Sequence, residues 1–150
     1  MIKIICVGSI KEKYFKDAIE EYKKRLSKYT KLEIIELKDS KLDNKELALR
    51  EEEERILKVL KQKDHIISMA IEGKQYDSID FSNHIDKLIG MEDITFIIGG
   101  SYGIPNSIKE ISNEFISFSK MTFPHQLFRI ILLEQLYRSF KILNNETYHK

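Results

Sequence analysis

The sequence predicts a single α/β domain, residues 1–150, with a mainly parallel sheet of five to six strands and helices on both faces. A length of 150 residues suits one domain with a sizeable core. Short runs of β-branched and aromatic residues alternate with helical patterns, which is typical of βαβ units and a parallel sheet. No internal repeat and no linker rich in Pro, Gly or Ser interrupts this alternation.

The first half of the chain contains two strand patterns and two helix patterns. Ile2–Val7 and Leu32–Leu37 are short runs rich in β-branched residues, which predicts strands. The helix between them has apolar residues three and four positions apart: Tyr14, Ala18, Ile19, Tyr22 and Leu26. The second helix is marked by Leu47, Leu49, Ile56, Leu57 and Leu60. The four glutamates at 51–54 are interpreted as its solvated face.

The second half of the chain contributes three further strands and three helices. The strands are predicted at His65–Ile71, Ile94–Ile98 and Phe115–Phe118. The third helix is marked by Phe81, Ile85, Leu88 and Ile89. A short fourth helix follows Pro105, a residue suited to a first helical turn. The fifth helix is predicted from about Gln126 to Leu143.

The fifth helix, QLFRIILLEQLYRSFKIL, is apolar on nearly every face. Such a helix must be covered nearly all round, and a domain of this size has few elements to cover it. The sequence therefore predicts a homodimer with this helix at the interface, where Leu133 and Leu136 are expected. Glu134 and Arg138 are spaced to form an ion pair on one helical face.

Composition narrows the class of protein. The net charge is +5 for residues 1–31, −7 for 32–116 and +3 for 117–150. If the two chain ends meet, they form a basic surface suited to a phosphate backbone, although alternating charge on solvated helices is an equal alternative. No membrane span is expected, and the lone Cys6, interpreted as a buried strand residue, fits a cytoplasmic protein. The four histidines have no metal-ligand spacing, so no metal is expected.

The glycine-rich stretch FIIGGSYGI at 96–104 permits more than one interpretation. GGSYG fits the nucleophile elbow of serine hydrolases, with Ser101 as nucleophile, Glu114 as acid and His125 or His149 as base. However, Pro105 delays the helix that should follow such a serine directly. The glycine spacing does not fit a dinucleotide-binding fingerprint. The glycines instead let the backbone approach a flat ligand, or form only a turn.

Several segments of the chain together resemble one known family. They are IKIICVGSIKEKYF at the start, EYKKRL in the first helix, IEGK at 71–74, FIIGGSYG, SFSKMTFPHQLFRIILLEQLYRSFKI and the terminal YHK. In this order and over essentially the full length, they resemble the ribosomal RNA large subunit methyltransferase H family, a small branch of the SPOUT methyltransferases. The resemblance implies an α/β fold whose C-terminal segment threads through a loop to give a trefoil knot.

The resemblance also implies an activity. Members of the family use S-adenosylmethionine to methylate N3 of a pseudouridine in large-subunit (23S) ribosomal RNA, as homodimers that act on assembled ribosomes. The cofactor lies between three loops that follow strands. By motif, the cofactor-binding residues here are Met69, Gly99, Gly100, Phe118, Ser119, Lys120, Met121, Thr122 and Phe123. This assigns the unusual stretch SFSKMTFPHQ at 117–126 to the methyl-donor site.

The remaining candidates concern the chemistry. The N3–H of a pseudouridine is weakly acidic, so the enzyme must favour loss of the proton or stabilise the anion. Arg138, Tyr148 and His149 are the catalytic candidates, and His125 and Arg129 are the substrate-binding candidates. The resemblance implies that the terminal Tyr-His pair covers the neighbouring subunit's site. A serine hydrolase and a ribosome-binding protein without chemistry stay open as alternatives.

Overall fold

The computed structural model describes the whole chain, Met1–Lys150, and consists of five strands and five helices that alternate. In chain order the elements are β1 (Ile2–Val7), α1 (Lys13–Leu26), β2 (Leu32–Leu37), α2 (Lys45–Val59), β3 (His65–Gln75), α3 (Ser78–Ile89), β4 (Ile94–Ile98), α4 (Asn106–Ile111), β5 (Glu114–Ser117) and α5 (His125–Leu143).

The five strands form one sheet in the order β2-β1-β4-β3-β5, and every neighbouring pair is parallel. Ile2 pairs with Leu32 on one side and with Ile94 on the other, so the strands start level with one another. The predicted α/β class is confirmed, with five strands. The trefoil knot that the resemblance implies stays a prediction.

Helices cover both faces of the sheet. Ile4 and Phe96 lie in a large apolar cluster with residues of α1, α3 and α5. Ile5 and Ile97, the next residues along the same strands, lie in a smaller cluster with residues of α2 and α4. Successive strand residues point to opposite faces, so a strand buried on both faces must be apolar throughout. All six residues of β1 are accordingly buried, although Lys3 is one of them.

The α5 helix is covered largely by its own chain, because it packs against α1 and α3. Leu133 and Leu136, expected at a dimer interface, have no exposed surface and belong to the large apolar cluster. That placement was wrong, since the hydrophobic pattern of a helix does not say whether its own domain or a partner covers it. Leu127 is the α5 residue that leaves a large apolar side chain exposed. None of the five helices combines the length and hydropathy that crossing a bilayer requires.

One glutamate of the 51–54 run does not face solvent. Glu52 is only 3% exposed, on the same buried stripe of α2 as Ala48 and Ile56. Its carboxylate accepts a hydrogen bond at 2.8 Å from the backbone N–H of Ser40, in the loop before α2. The interpretation of the whole run as a solvated face was therefore wrong for Glu52, whose burial fixes this loop against the helix.

The first and last parts of the chain are in contact. This contact is the condition under which their positive charges could form one basic surface. Helix α1 packs along α5, and Tyr29, shortly after α1, stacks on Phe140 with ring centroids 5.6 Å apart. The Tyr29 hydroxyl also donates to Glu146 at 2.8 Å. Part of the positive charge is neutralised locally, as where Lys13 lies 2.8 Å from Asp17.

Candidate active site

A cavity of about 400 Å³ lies at the carboxyl ends of β3, β4 and β5. In parallel α/β sheets this is the edge where ligands bind. Three segments in this region enclose it, together with one residue from α4 and two from α5. The lining residues are Met69–Glu72, Ile98–Ser101, Gly103, Ile104, Lys109, Ile116–Ser119, Met121–His125 and Phe128.

The β3 segment reaches the cavity through an irregularity in the strand. Met69 and Lys74 both pair with Ile116 of β5, so the residues between them, 70–73, form an excursion out of the ladder. A Cβ on Gly73 would lie 2.6 Å from the Ile116 backbone, so only glycine permits the strand to rejoin its neighbour. The excursion directs part of β3 into the cavity, whereas the sequence predicted that the strand ends at Ile71.

The β4 segment is a tight turn. The Gly103 N–H donates to the Gly100 carbonyl at 3.0 Å, and Gly103 has a positive φ of 81°. A Cβ on Gly99 would lie 2.4 Å from the Gly103 carbonyl carbon, so this glycine is required by the turn itself. Gly99 and Gly100, which were predicted to bind the cofactor, both line the cavity. The close approach that Gly99 permits, however, is to the backbone of Gly103.

The serine-hydrolase constellation is not assembled around this turn. Ser101 is exposed and makes no side-chain hydrogen bond with a histidine, and α4 begins only at Asn106. The predicted acid, Glu114, instead accepts bonds from His65 at 2.6 Å and His84 at 2.8 Å. His84, interpreted from sequence as a surface residue, is half-buried because of this contact.

The third segment, which follows β5, is held in shape by its own serines. Ser117 Oγ donates to the Ser119 carbonyl at 2.8 Å, and Ser119 Oγ accepts from the Met121 N–H at 3.0 Å. The rings of Phe118 and Phe123 pack on Phe128 of α5 at centroid distances of 5.5 and 6.4 Å. The segment therefore presents apolar side chains and free main chain, which are the groups that an adenine-like ring requires.

Eight of the nine predicted cofactor-binding residues line the cavity, and Lys120 does not. Lys120 is exposed, whereas its neighbours Ser119 and Met121 take part in the lining. Met121 itself is 73% exposed and lies at the cavity mouth. At the opposite extreme, Met69 is 9% exposed and lines the cavity from within β3, at the last residue before the excursion.

His125 and Arg129, predicted to bind substrate, begin α5 beside the end of β1. The His125 ring lies against Gly8, where an added Cβ would be 2.7 Å from the ring carbon Cε1. Its Nδ1 is buried without a hydrogen-bond partner. Burial, and then the charge of Arg129, lower the pKa of His125 below its usual 6.5, so the ring is neutral at pH 7.

Arg129 is 1% exposed, and its guanidinium is held within the fold. It donates to the Gly8 carbonyl at 3.0 Å and forms an ion pair with Glu36 at the end of β2. Glu36 also accepts from the Ile10 N–H at 3.3 Å. Arg129 thus ties the start of α5 to the ends of β1 and β2. The sequence analysis missed Glu36, because nothing in a short strand indicates a partner 93 positions away.

The three catalytic candidates lie together on the outer side of α5. Arg138 donates to Glu134 at 2.7 Å, which confirms the predicted pair, and also contacts His149 Nδ1 at 3.0 Å. The Tyr148 hydroxyl donates to the same Glu134 oxygen at 3.1 Å. The bond to Glu134 raises the pKa of Arg138, and burial followed by the Glu134 charge raises the pKa of Tyr148. The tail is therefore folded back on its own helix.

His149 does not line the main cavity. It lies in a second cleft, of about 510 Å³, between the start of α3 and α5, with Tyr76 and Gln135. Phe118 is the one residue that lines both the cavity and the cleft. The two recesses are therefore neighbours that share the Phe118 side chain. No group of three or more His, Cys, Asp or Glu side chains is arranged to hold a metal ion.

Comparisons with known proteins agree on one family. Residues 1–149 match the family model described as "Predicted SPOUT methyltransferase". A protein of Caldicellulosiruptor saccharolyticus named Ribosomal RNA large subunit methyltransferase H is 51% identical over 154 residues, with 100% of both chains covered. A protein of the same name from Streptococcus uberis is 51% identical over 157 residues, with 99% of each chain covered.

A solved structure is similar in fold at low sequence identity. The crystal structure of a tRNA methyltransferase from Aquifex aeolicus has a TM-score of 0.51 and 14% identity, over 91% of this chain and 69% of that chain. At that identity the likeness concerns the fold alone.

Proposed function

Because the chain belongs to the ribosomal RNA large subunit methyltransferase H family of SPOUT methyltransferases, we propose that it methylates large-subunit ribosomal RNA with S-adenosylmethionine as donor. The proposed target is N3 of a pseudouridine in 23S ribosomal RNA, the proposed assembly is a homodimer, and the proposed location is the cytoplasm. The observation that carries the proposal is the cavity formed by the three segments that the family motifs assign to the donor.

The residues of this cavity fit the proposed donor. About 400 Å³ lies within the range of small-molecule sites. The apolar side chains of Met69 and Phe123 suit an adenine ring, and the unpaired main chain of the third segment suits its ring nitrogens. When bound there, S-adenosylmethionine supplies a methyl group on a cationic sulfur, ready for direct displacement by a nitrogen nucleophile.

The chain's own residues would then stabilise the deprotonated base. The N3 proton passes to water, and N3 forms the new N–C bond as the S–C bond breaks. A nearby cation assists by stabilising the negative charge of the base before transfer. Arg138 carries a permanent charge at the outer side of α5, and Tyr148 beside it is a neutral hydroxyl that can donate. We propose these two and His149 as the groups that contact the base, from one subunit toward the cavity of its partner.

A homodimer is part of the proposal because the catalytic candidates do not line the main cavity of their own chain. Leu127, 36% exposed on α5, is a suitable position to test the interface. We expect Leu127→Glu to give a folded monomer by light scattering, with S-adenosylmethionine binding retained and methyl transfer lost. A Leu127→Glu protein that keeps its dimer mass would contradict an interface at this position.

The substrate is proposed to be the assembled ribosome rather than free RNA. With a net charge of +1, the protein has little electrostatic affinity for a naked hairpin at physiological salt. The test is to incubate ribosomes from a strain that lacks this protein with labelled S-adenosylmethionine. We expect one methyl group on N3 of a pseudouridine, and far less label in the isolated stem-loop. Equal labelling of hairpin and ribosome would reject the assembled substrate.

The two alternatives predict other outcomes. A ribosome-binding protein without chemistry would bind ribosomes whether or not S-adenosylmethionine is present, and would transfer no label. A serine hydrolase would be labelled at Ser101 by a fluorophosphonate, an outcome that the missing histidine contact at Ser101 disfavours. Failure to bind S-adenosylmethionine at millimolar concentration would end the methyltransferase proposal.

A further inference from the structure

The cavity contains one pair of formally charged side chains. Its other lining residues are apolar, glycine or hydroxyl-bearing, and His125 is neutral at pH 7 because its pKa is lowered. The exceptions are Glu72, from the β3 excursion, and Lys109, from α4. Lys109 Nζ donates to Glu72 Oε1 at 2.7 Å, so both signs of charge are presented at a single place in an otherwise uncharged recess.

This ion pair is not required to hold the fold together. The Lys109 side chain is 29% exposed and that of Glu72 is 56% exposed, and neither is hydrogen-bonded to a third side chain. Exposed pairs of this kind contribute little to stability, because water solvates the separated charges almost as well. The buried pair of Lys3 and Asp64, by contrast, has a further partner in Thr95. The Glu72–Lys109 contact can therefore open at small cost.

The position of Glu72 depends on the excursion at residues 70–73. In an unbroken ladder, the residues after Met69 would continue alongside β5, but the next residue that pairs with β5 is Lys74. The excursion brings a carboxylate to a wall that is otherwise built by Ala70 and Ile71. A charge at the wall of an apolar ligand site suggests a charged part of the ligand.

Resting on the proposed function, we propose that Glu72 and Lys109 bind the amino-acid end of S-adenosylmethionine. The methionine part of this molecule is a zwitterion, with an ammonium and a carboxylate on one carbon. Glu72 would accept a hydrogen bond from the ammonium, and Lys109 would donate one to the carboxylate. The ligand ammonium then replaces Lys109 as the positive partner of Glu72, and the ligand carboxylate replaces Glu72 as the negative partner of Lys109. The rest of the cavity, which is uncharged, then receives the nucleoside part.

Three probes test the assignment by calorimetry, and each is compared between a variant and the unmodified protein. S-adenosylmethionine carries the ammonium and the carboxylate, and decarboxylated S-adenosylmethionine keeps only the ammonium. Methylthioadenosine lacks the whole chain that bears these groups and, as a thioether, the sulfonium charge as well. We expect Lys109→Met to weaken binding of S-adenosylmethionine about tenfold, the scale of one lost charge-assisted hydrogen bond. The same variant should bind the decarboxylated probe and methylthioadenosine as the unmodified protein does.

The carboxylate and the conservative variant complete the test. Glu72→Gln should weaken both ammonium-bearing probes and spare methylthioadenosine, and Lys109→Arg should retain most of the affinity for S-adenosylmethionine. Arg50→Met is the matched control, since Arg50 forms an exposed pair with Glu46 at 3.7 Å on α2, outside the cavity. It should bind all three probes normally.

Two results would overturn the assignment without affecting the proposed function. If Lys109→Met binds S-adenosylmethionine normally, the pair does not contact the donor. If it weakens methylthioadenosine as much as S-adenosylmethionine, the pair contacts the nucleoside part or supports the cavity. Failure of the unmodified protein to bind any of the three probes would instead reject the proposed function itself.

Discussion

Buried charged groups lie at both ends of the parallel strands, and their surroundings differ. At the amino end, Lys3 Nζ lies 2.6 Å from Asp64 Oδ2, and the same oxygen accepts from the Thr95 hydroxyl at 2.9 Å. None of these three side chains has a buried polar atom without a partner. The network is closed, and none of its three residues lines the cavity or the cleft described above.

At the carboxyl end, several buried polar atoms lack a hydrogen-bond partner. His125 Nδ1, Gln126 Oε1 and Arg129 Nε are all buried without a partner, next to the cavity. A buried unsatisfied polar atom costs about 1–3 kcal/mol, so this end gives up stability that the amino end retains. The comparison teaches that the amino ends of the strands contribute stability, whereas the proposed ligand site lies at their carboxyl ends. Each end can be tested separately.

The largest expected effect is on stability at the amino end. Asp64→Ala leaves Lys3, whose side chain is 5% exposed, as an unpaired buried charge. We expect a loss of about 3–5 kcal/mol in the free energy of unfolding, measured by urea denaturation. Asp93→Asn is the control, because Asp93 pairs with the Met1 ammonium at 3.0 Å but is 42% exposed. It should cost less than about 1 kcal/mol. Equal losses in the two variants would show that burial does not matter here.

A smaller effect, on binding rather than stability, is expected at the carboxyl end. Phe123 is half-buried and stacks on Phe128 at the cavity wall. We expect Phe123→Ala to weaken S-adenosylmethionine binding about tenfold by calorimetry, the loss of one aromatic contact. Met91→Ala, at an 80% exposed position outside the cavity, is the control and should bind normally. If Phe123→Ala lost stability like Asp64→Ala while binding normally, the division between the two edges would be wrong.

A still smaller effect is expected from pH. The pKa of His125 is lowered from 6.5 in the folded protein, so the unfolded chain binds a proton more readily. The contribution of neutral His125 to the free energy of unfolding is therefore fully present above pH 6.5. It is lost as the pH falls from 6.5 through the lower pKa that His125 has in the folded protein. We expect a decline in urea midpoint between pH 7 and pH 5.5 that is reduced in His125→Asn. An identical decline in that variant would assign the pH dependence to other groups.

The smallest effect is an expected absence of reaction. Burial raises the pKa of the Cys6 thiol to about 12, so almost no thiolate exists at pH 8. We expect iodoacetamide to leave the folded protein unmodified at that pH and to alkylate Cys6 once the chain is unfolded in urea. Alkylation at equal rates in both states would mean that the carboxyl end opens more widely than its cavity suggests.

The order and type of the secondary-structure elements could be predicted because each depends on local periodicity. The β-branched runs and the spacing of residues such as Ile19 and Leu26 identify elements without any knowledge of the sheet. The β3 excursion could not be predicted, since it exists only because Lys74 rejoins β5 after Met69 has already paired there. Register between strands is a long-range property, and a single sequence contains no direct record of it.

Burial of charged residues was the second point that sequence patterns did not resolve. Ala48, Glu52 and Ile56 recur every four residues, which is a helical stripe that could have identified Glu52 as buried. The run of four glutamates obscured that spacing. The pairing of Arg129 with Glu36 had no such indication, because the two residues belong to different elements.

The cavity residues were predicted through the resemblance rather than through physics. Met69 and Phe123 are ordinary apolar residues in the sequence, and only the family motifs assigned them to a site. Those motifs did not indicate Glu72 and Lys109 as a pair, although IEGK lies within the motif set. Their 2.7 Å contact arises from the excursion and α4 together, and therefore became visible only in three dimensions.

The arrangement of the chain ends has a consequence for laboratory practice. Tyr148 and His149 fold back on α5 with Glu134 and Arg138, so a C-terminal affinity tag would extend from the residues proposed to contact RNA. Met1 lies at the opposite edge of the sheet, where its ammonium pairs only with the partly exposed Asp93. A purification tag at the N-terminus would displace one surface ion pair and leave the tail free. If the tail contacts RNA as proposed, we expect a tag at the C-terminus to give a folded preparation that binds the donor and is inactive.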